Sequence, residues 1–190
     1  MKQRLFVAIK LNQTTFDALR LFQMELKKEL PFKGIRWVDP GLFHLTLQFL
    51  GNTETNLIPR LISNLESVGQ QIKSFDLVLD GVGHFGSKSS IRTIWAGTQP
   101  SSALRNLFNQ VIESTEFLKV DQRPRFSPHL TLARGSDWLT TKESSRIFEV
   151  LSERKATVFG VTKITSFELI ESTLNPSGPV YKTIKLFNLV

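Results

Sequence analysis

Two pentapeptides, Phe43-His44-Leu45-Thr46-Leu47 and Pro128-His129-Leu130-Thr131-Leu132, are nearly the same word written twice, and they hold two of the chain's three histidines. Successive side chains in an extended strand point to opposite faces, so His44 and Thr46 share one face while Leu45 and Leu47 share the other. His129 and Thr131 stand in the same relation to Leu130 and Leu132. One face of each strand suits a core and the other suits a site, as in two similar half-domains that each offer one imidazole to a common cleft. At pH 7, two independent imidazoles with pKa near 6.5 hold one protonated and one neutral member in roughly a third of molecules. Phosphodiester hydrolysis needs that combination: a base for the attacking water, an acid for the leaving alkoxide, and donors for the phosphoryl oxygens. His44 and His129 supply acid and base, and the hydroxyls of Thr46 and Thr131 are placed to donate to phosphoryl oxygens.

Other chemistries fit less well. Two histidines without a neighbouring third histidine, cysteine or paired carboxylate make a poor metal site. Asp39, Asp80, Asp121 and Asp137 are the carboxylates considered for one, and none falls inside the motifs. Ser127 and Ser172 lack the arranged base that a nucleophilic serine requires. Gly81-Val82-Gly83-His84-Phe85-Gly86 spells a dinucleotide-binding fingerprint, but it leads through Ser87-Lys88-Ser89-Ser90 into a strand from Ile91 to Ala96, where the fingerprint needs a helix. The segment is expected to be a flexible loop between two strands, with His84 an ordinary loop residue. A formal net charge of +7 favours a polyanionic partner. The absence of cysteine excludes a disulfide framework and a thiolate nucleophile. The opening Met1-Lys2-Gln3-Arg4 lacks the features of a signal peptide, and no apolar run is long enough to span a membrane. A soluble, cytoplasmic, monomeric protein is expected.

The elements that position the motifs follow from periodicity. Residues 4 to 11 read as a buried strand. A helix comes next, capped at Asn12 or Thr14, with Phe16, Leu19, Phe22, Leu26 and Leu30 as its apolar stripe and Pro31 as its stop. Ile35 to Val38 is a short extended piece, Asp39-Pro40-Gly41 turns the chain, and Phe43 to Leu50 is the first motif strand. Asn56 to Ile72 is a second helix that tolerates Pro59 in its first turn, and Phe75 to Leu79 alternates as a strand. A third helix spans Ser102 to Glu113. Arg123 to Pro128 is an extended arm, because two prolines disfavour a helix there. The second motif strand ends at Ala133-Arg134-Gly135, a last helix spans Thr141 to Glu153, and strands near Lys163 to Ser172 and Val180 to Leu189 close the chain. Each half thus reads as a sheet with helices on one face. The whole, residues 1–190, is expected to be a single bilobed, pseudo-twofold α+β domain.

Arg36-Trp37-Val38, Leu42 to Leu47 continuing through Phe49-Leu50-Gly51, and Phe126 to Arg134 together resemble the two-histidine (2H) phosphoesterases. The likeness is to their bacterial and archaeal RNA 2′,3′-cyclic phosphodiesterase branch, once named for 2′-5′ RNA ligase activity. It extends to Phe85, Trp95-Ala96-Gly97 and the closing stretch from Glu171-Ser172 to Tyr181. At Gln48 the branch often carries Lys or Arg. The resemblance implies two antiparallel-rich sheets with outer helices around a basic central cleft, without a metal or other cofactor. It also implies hydrolysis of an RNA 2′,3′-cyclic phosphate end to a 2′-phosphate, with His44 as proton donor, His129 as proton acceptor, and Thr46 and Thr131 on the phosphoryl oxygens. Phe43 and Arg134 would contact the nucleotide by stacking and by gripping phosphate. Strict alternation, however, turns Arg134 away from the face of His129. The alternative readings are 2′-5′ ligation, with a 5′-hydroxyl as attacker, and a non-catalytic RNA-binding module.

Overall fold

Nine strands and four α-helices form among the residues that the computed structural model describes, 1–120, 125–176 and 178–190. Asp121, Arg123 and Pro124 lie outside them. In chain order the elements are β1 (Lys2–Ile9), α1 (Gln13–Glu29), β2 (Ile35–Trp37), β3 (Leu45–Glu54), α2 (Ile58–Gly69), β4 (Phe75–Ser87), β5 (Ser90–Thr98), α3 (Ser102–Ser114), β6 (His129–Gly135), α4 (Thr141–Glu153), β7 (Val158–Ile164), β8 (Ser166–Asn175) and β9 (Gly178–Asn188). The strands lie in the order β7-β4-β5-β6-β3-β1-β8-β9, and β2 adds to β6. All of these pairings are antiparallel.

The two motif strands meet at the middle of this order, and they pair there only through Leu45 and Leu130. With so little holding them together, β3 and β6 diverge, and the sheet divides into two lobes, the first of four strands (β3, β1, β8 and β9) and the second of five (β7, β4, β5, β6 and β2), with one histidine motif on each inner strand. The α+β, bilobed architecture read from the sequence is therefore present. The lobes are not, however, the two halves of the chain, because β8 and β9 return to pair beside β1 and complete the first lobe. That pairing covers the free edge of β1, a long-range choice that removes an unpaired apolar strand edge.

Covering both of its edges and both of its faces makes β1 a continuous buried run, Leu5 to Ile9, rather than an alternating one. Leu5, Val7 and Ile9 belong to the main core, whereas Phe6 and Ala8 pack with Ile170 and Tyr181 on the opposite face. Helix α1 begins where Asn12 accepts a hydrogen bond from the Thr15 amide and ends at Leu30, just before Pro31. It packs on the second lobe: Phe22 meets Phe159 of β7 edge-on at 5.2 Å, and Thr162 donates to Thr15 at 3.1 Å. A capping box of Thr140 and Glu143 starts α4, and Arg154 near its end is tied to Glu29 of α1 at 2.6 Å. Helix α3 is tied to the first lobe, where Thr115 donates to the buried Gln48 side chain at 2.5 Å.

The glycine-rich segment corrects the sequence expectation, because it is not a loop but the second half of β4. Glycine is required there for two reasons. The Trp95 indole lies on Gly83, where a Cβ would come within 2.5 Å of the ring, and Gly86 has φ +101° beside an irregularity in the β4–β5 register.

Candidate active site between the lobes

The same local contact aims both imidazoles. His44 Nδ1 lies 2.7 Å from the Leu42 carbonyl, and His129 Nδ1 lies 2.8 Å from the Ser127 carbonyl. A carbonyl only accepts, so Nδ1–H donates in each ring and the neutral form leaves a lone pair on Nε2. The two histidines are thus held as the same tautomer by the same contact to the residue two positions back. Both line a cleft of about 1010 Å³ between the lobes, together with Thr46, Thr131 and Arg134.

The surroundings of the two rings differ. His44 is half-buried against Phe6 at 4.9 Å and Tyr181 at 5.4 Å. His129 meets Phe85 edge-on at 4.7 Å. Burial lowers the His44 pKa below the ordinary histidine value; the Leu42 carbonyl opposes this, while the charges of His129 and Arg134 lower it further. Burial also raises the Tyr181 phenol pKa, partly offset by Arg134 and Arg4. Removing the guanidinium in Arg134→Gln should therefore move the His44 titration, followed by NMR of its imidazole protons, to higher pH. An unmoved or lowered midpoint would show that Arg134 does not act on this ring.

A pair of β-bulges decides what stands beside the histidines. In β3, Thr46 pairs with Ala8 and Gln48 with Val7, which leaves Leu47 extra. In β6, Thr131 pairs with Trp95 and Ala133 with Ile94, which leaves Leu132 extra. The extra residue comes directly after the threonine in both motifs, and it resets the alternation. Two consecutive side chains then face the core, Leu47 with Gln48 and Leu132 with Ala133. The next ones, Phe49 and Arg134, join the histidine and threonine on the cleft face. Arg134 therefore reaches the site that a regular strand would deny it.

The second bulge has a dedicated support. Gln23, fully buried on α1, donates from Nε2 to the carbonyls of Leu132 at 2.9 Å and Val38 at 2.8 Å. The Val38 amide also donates to the Leu132 carbonyl, at 3.0 Å.

Phe43 requires a correction. Its side chain is 7% exposed, packs against Phe16 at 6.1 Å between ring centroids, and belongs to the main core. It faces away from the cleft because it alternates with His44. The aromatic of the first motif that does face the cleft is Phe49, 44% exposed, with the Arg4 guanidinium 4.5 Å from its ring centroid. Phe49 and Arg134 occupy equivalent places, five residues past their histidines. The bulge that exposes them was the missing piece of information, although comparing the two motifs beyond their fifth residue would have flagged the pair.

Gln48, where the resembled branch often has a cation, faces the core and Thr115 rather than the cleft. His84 sits on β4 with its ring 5.6 Å from Phe148 of α4. Of the carboxylates weighed from the sequence, Asp39 lines the cleft but accepts the Gly41 amide at 2.8 Å. Asp80 instead accepts from Gln99 at 3.1 Å. Among the described residues no three His, Cys, Asp or Glu side chains come together in a metal-binding group. Ser172 lines the cleft, and Ser127 contributes its carbonyl to His129.

Comparison with known proteins agrees with this geometry. Residues 9–95 match the family model described as LigT like Phosphoesterase. The RNA 2′,3′-cyclic phosphodiesterase of Archaeoglobus fulgidus is 30% identical over 97% of this chain and 99% of its own. Among solved structures, a Thermus thermophilus protein superposes with a TM-score of 0.80 at 28% identity, covering 98% of this chain and 97% of that one. E. coli LigT complexed with 3′-AMP superposes with a TM-score of 0.77 at 26% identity, covering 100% and 99%.

Proposed function

The chain belongs to the RNA 2′,3′-cyclic phosphodiesterase family of LigT like phosphoesterases, and from that premise we propose that it hydrolyses a terminal 2′,3′-cyclic phosphate of RNA to a 2′-phosphomonoester by two-histidine acid–base catalysis, without a metal. The observation that carries this reading is the matched pair of imidazoles, each fixed through Nδ1 and free at Nε2 across one cleft.

Neutral His129 accepts a proton from water through Nε2 as the water oxygen bonds to phosphorus. Protonated His44 donates its Nε2 proton to the 3′-oxygen as the P–O3′ bond breaks. The hydroxyls of Thr46 and Thr131 donate to the non-bridging oxygens, and Arg134 adds a positive charge beside them. An acid has to be protonated before it can act, and burial and the Arg134 charge favour neutral His44. A cyclic phosphate carries one negative charge, so its arrival between the rings favours the imidazolium. The substrate thereby loads its own acid.

Both imidazoles and both threonine hydroxyls come from one chain, which supports action as a monomer. No helix among the described residues is long and apolar enough to cross a membrane, and we place the enzyme in the cytoplasm. Running the reaction in ¹⁸O-water distinguishes hydrolysis from ligation. The expected product is a 2′-phosphomonoester carrying one solvent oxygen. Joined 2′-5′ strands without the label, in the presence of a 5′-hydroxyl oligonucleotide, would replace hydrolysis by ligation.

A further inference from the structure

Strand β2 is only three residues long, yet it places Arg36 directly opposite Arg134 of β6. Side chains directly opposite in an antiparallel pair lie on the same face with Cβ atoms about 4.5–5.5 Å apart, and like charges in that relation destabilise the pair. Both arginines are exposed and both line the cleft. Among the described residues, neither has a carboxylate within ion-pair distance. Asp39 is the carboxylate nearest in sequence to Arg36, and its Oδ1 accepts the Gly41 amide. Two facing guanidinium groups without a counter-charge form an anion site, because an anion relieves the repulsion and gains charge-assisted hydrogen bonds from both.

One reacting phosphate does not account for this site. Arg134 lines the cleft on the same strand face as His129 and Thr131, and the proposed reaction assigns it to the cyclic phosphate. Arg36 stands one strand farther out, where β2 has taken the place of β3 beside β6. Trp37, the next residue of β2, also lines the cleft. The cleft, at about 1010 Å³, lies at the upper end of the roughly 300–1,000 Å³ typical of small-ligand sites. It has room for more than a terminal nucleotide.

We infer that Arg36 binds the phosphodiester immediately upstream of the cyclic end, so that the preferred ligand is an RNA 3′ end of at least two nucleotides rather than a free cyclic mononucleotide. This rests on the cyclic phosphodiesterase reading and adds the direction in which the strand leaves the site, from the histidines past Arg134 toward β2.

The test compares kcat/KM for a dinucleotide ending in a 2′,3′-cyclic phosphate with that for a 2′,3′-cyclic mononucleotide. The wild-type protein is expected to favour the dinucleotide. Arg36→Gln should lower the dinucleotide-to-mononucleotide ratio about tenfold, the order of one partly exposed charge-assisted hydrogen bond, chiefly through KM. It should also reduce the slope of log binding against log salt for the dinucleotide by about 0.7, the value for one phosphate of a single strand. Arg36→Lys should restore most of the ratio, which a purely structural defect would not allow. An unchanged ratio in Arg36→Gln, or equal losses on both substrates, would overturn the inference while leaving the functional reading standing. Failure of the wild-type protein to cleave either substrate would overturn both.

Discussion

His44→Ala and His129→Ala are each expected to lower kcat by about 10²–10⁴, the contribution of one well-placed general acid or base. Neither ring carries the core, since each is held by one carbonyl and its aromatic neighbours, so both variants should melt close to the wild type. Their combined loss should be smaller than the product of the single losses, because acid and base act in one concerted step. The two variants separate on a substrate with an activated leaving group, such as a nitrophenyl phosphodiester. A nitrophenolate departs without a proton, so His44→Ala should recover much of its activity there while His129→Ala, lacking the base for water, should not. The opposite pattern would exchange the two roles, and full activity of either variant would remove the two-histidine mechanism.

Thr46→Val and Thr131→Val carry the second largest expected effect. Each replaces a hydroxyl by a methyl of nearly the same shape at a position suited to the strand, leaving the adjoining bulge intact. Removing one donor to a developing phosphoryl charge should cost about 10²-fold in kcat with little change in KM, since the charge to be stabilised grows toward the transition state. Serine at either position should restore a large part of the loss. Valine variants with wild-type kcat would show that the threonines have no share in the phosphoryl contacts.

The features that the sequence disclosed are those set by local periodicity. The shared face of His44 and Thr46, the apolar stripe and caps of α1, and the stop at Pro31 depend on residues within one or two turns of each other. What it concealed depends on partners far along the chain. A bulge exists only with respect to the facing strand, so the extra residues Leu47 and Leu132 could not be seen until β1 and β5 supplied the register. Those bulges explain why Phe49 faces the cleft and why Arg134 stands with His129. The destination of β8 and β9 is likewise a matter of which edge remained open. The glycine-rich stretch misled for a different reason: its glycines permit a strand to bulge and to lie under an indole, where composition alone indicates a loop. Gln23 was hidden within an apolar helical face, and its importance lies in a carbonyl more than a hundred residues away.

The most direct test of two-histidine, metal-independent catalysis is turnover by chelator-treated protein of an oligoribonucleotide ending in a 2′,3′-cyclic phosphate, with the product end identified. An unchanged rate and a 2′-phosphomonoester are predicted. A rate abolished by the chelator and restored by a divalent cation would contradict the mechanism built on His44 and His129.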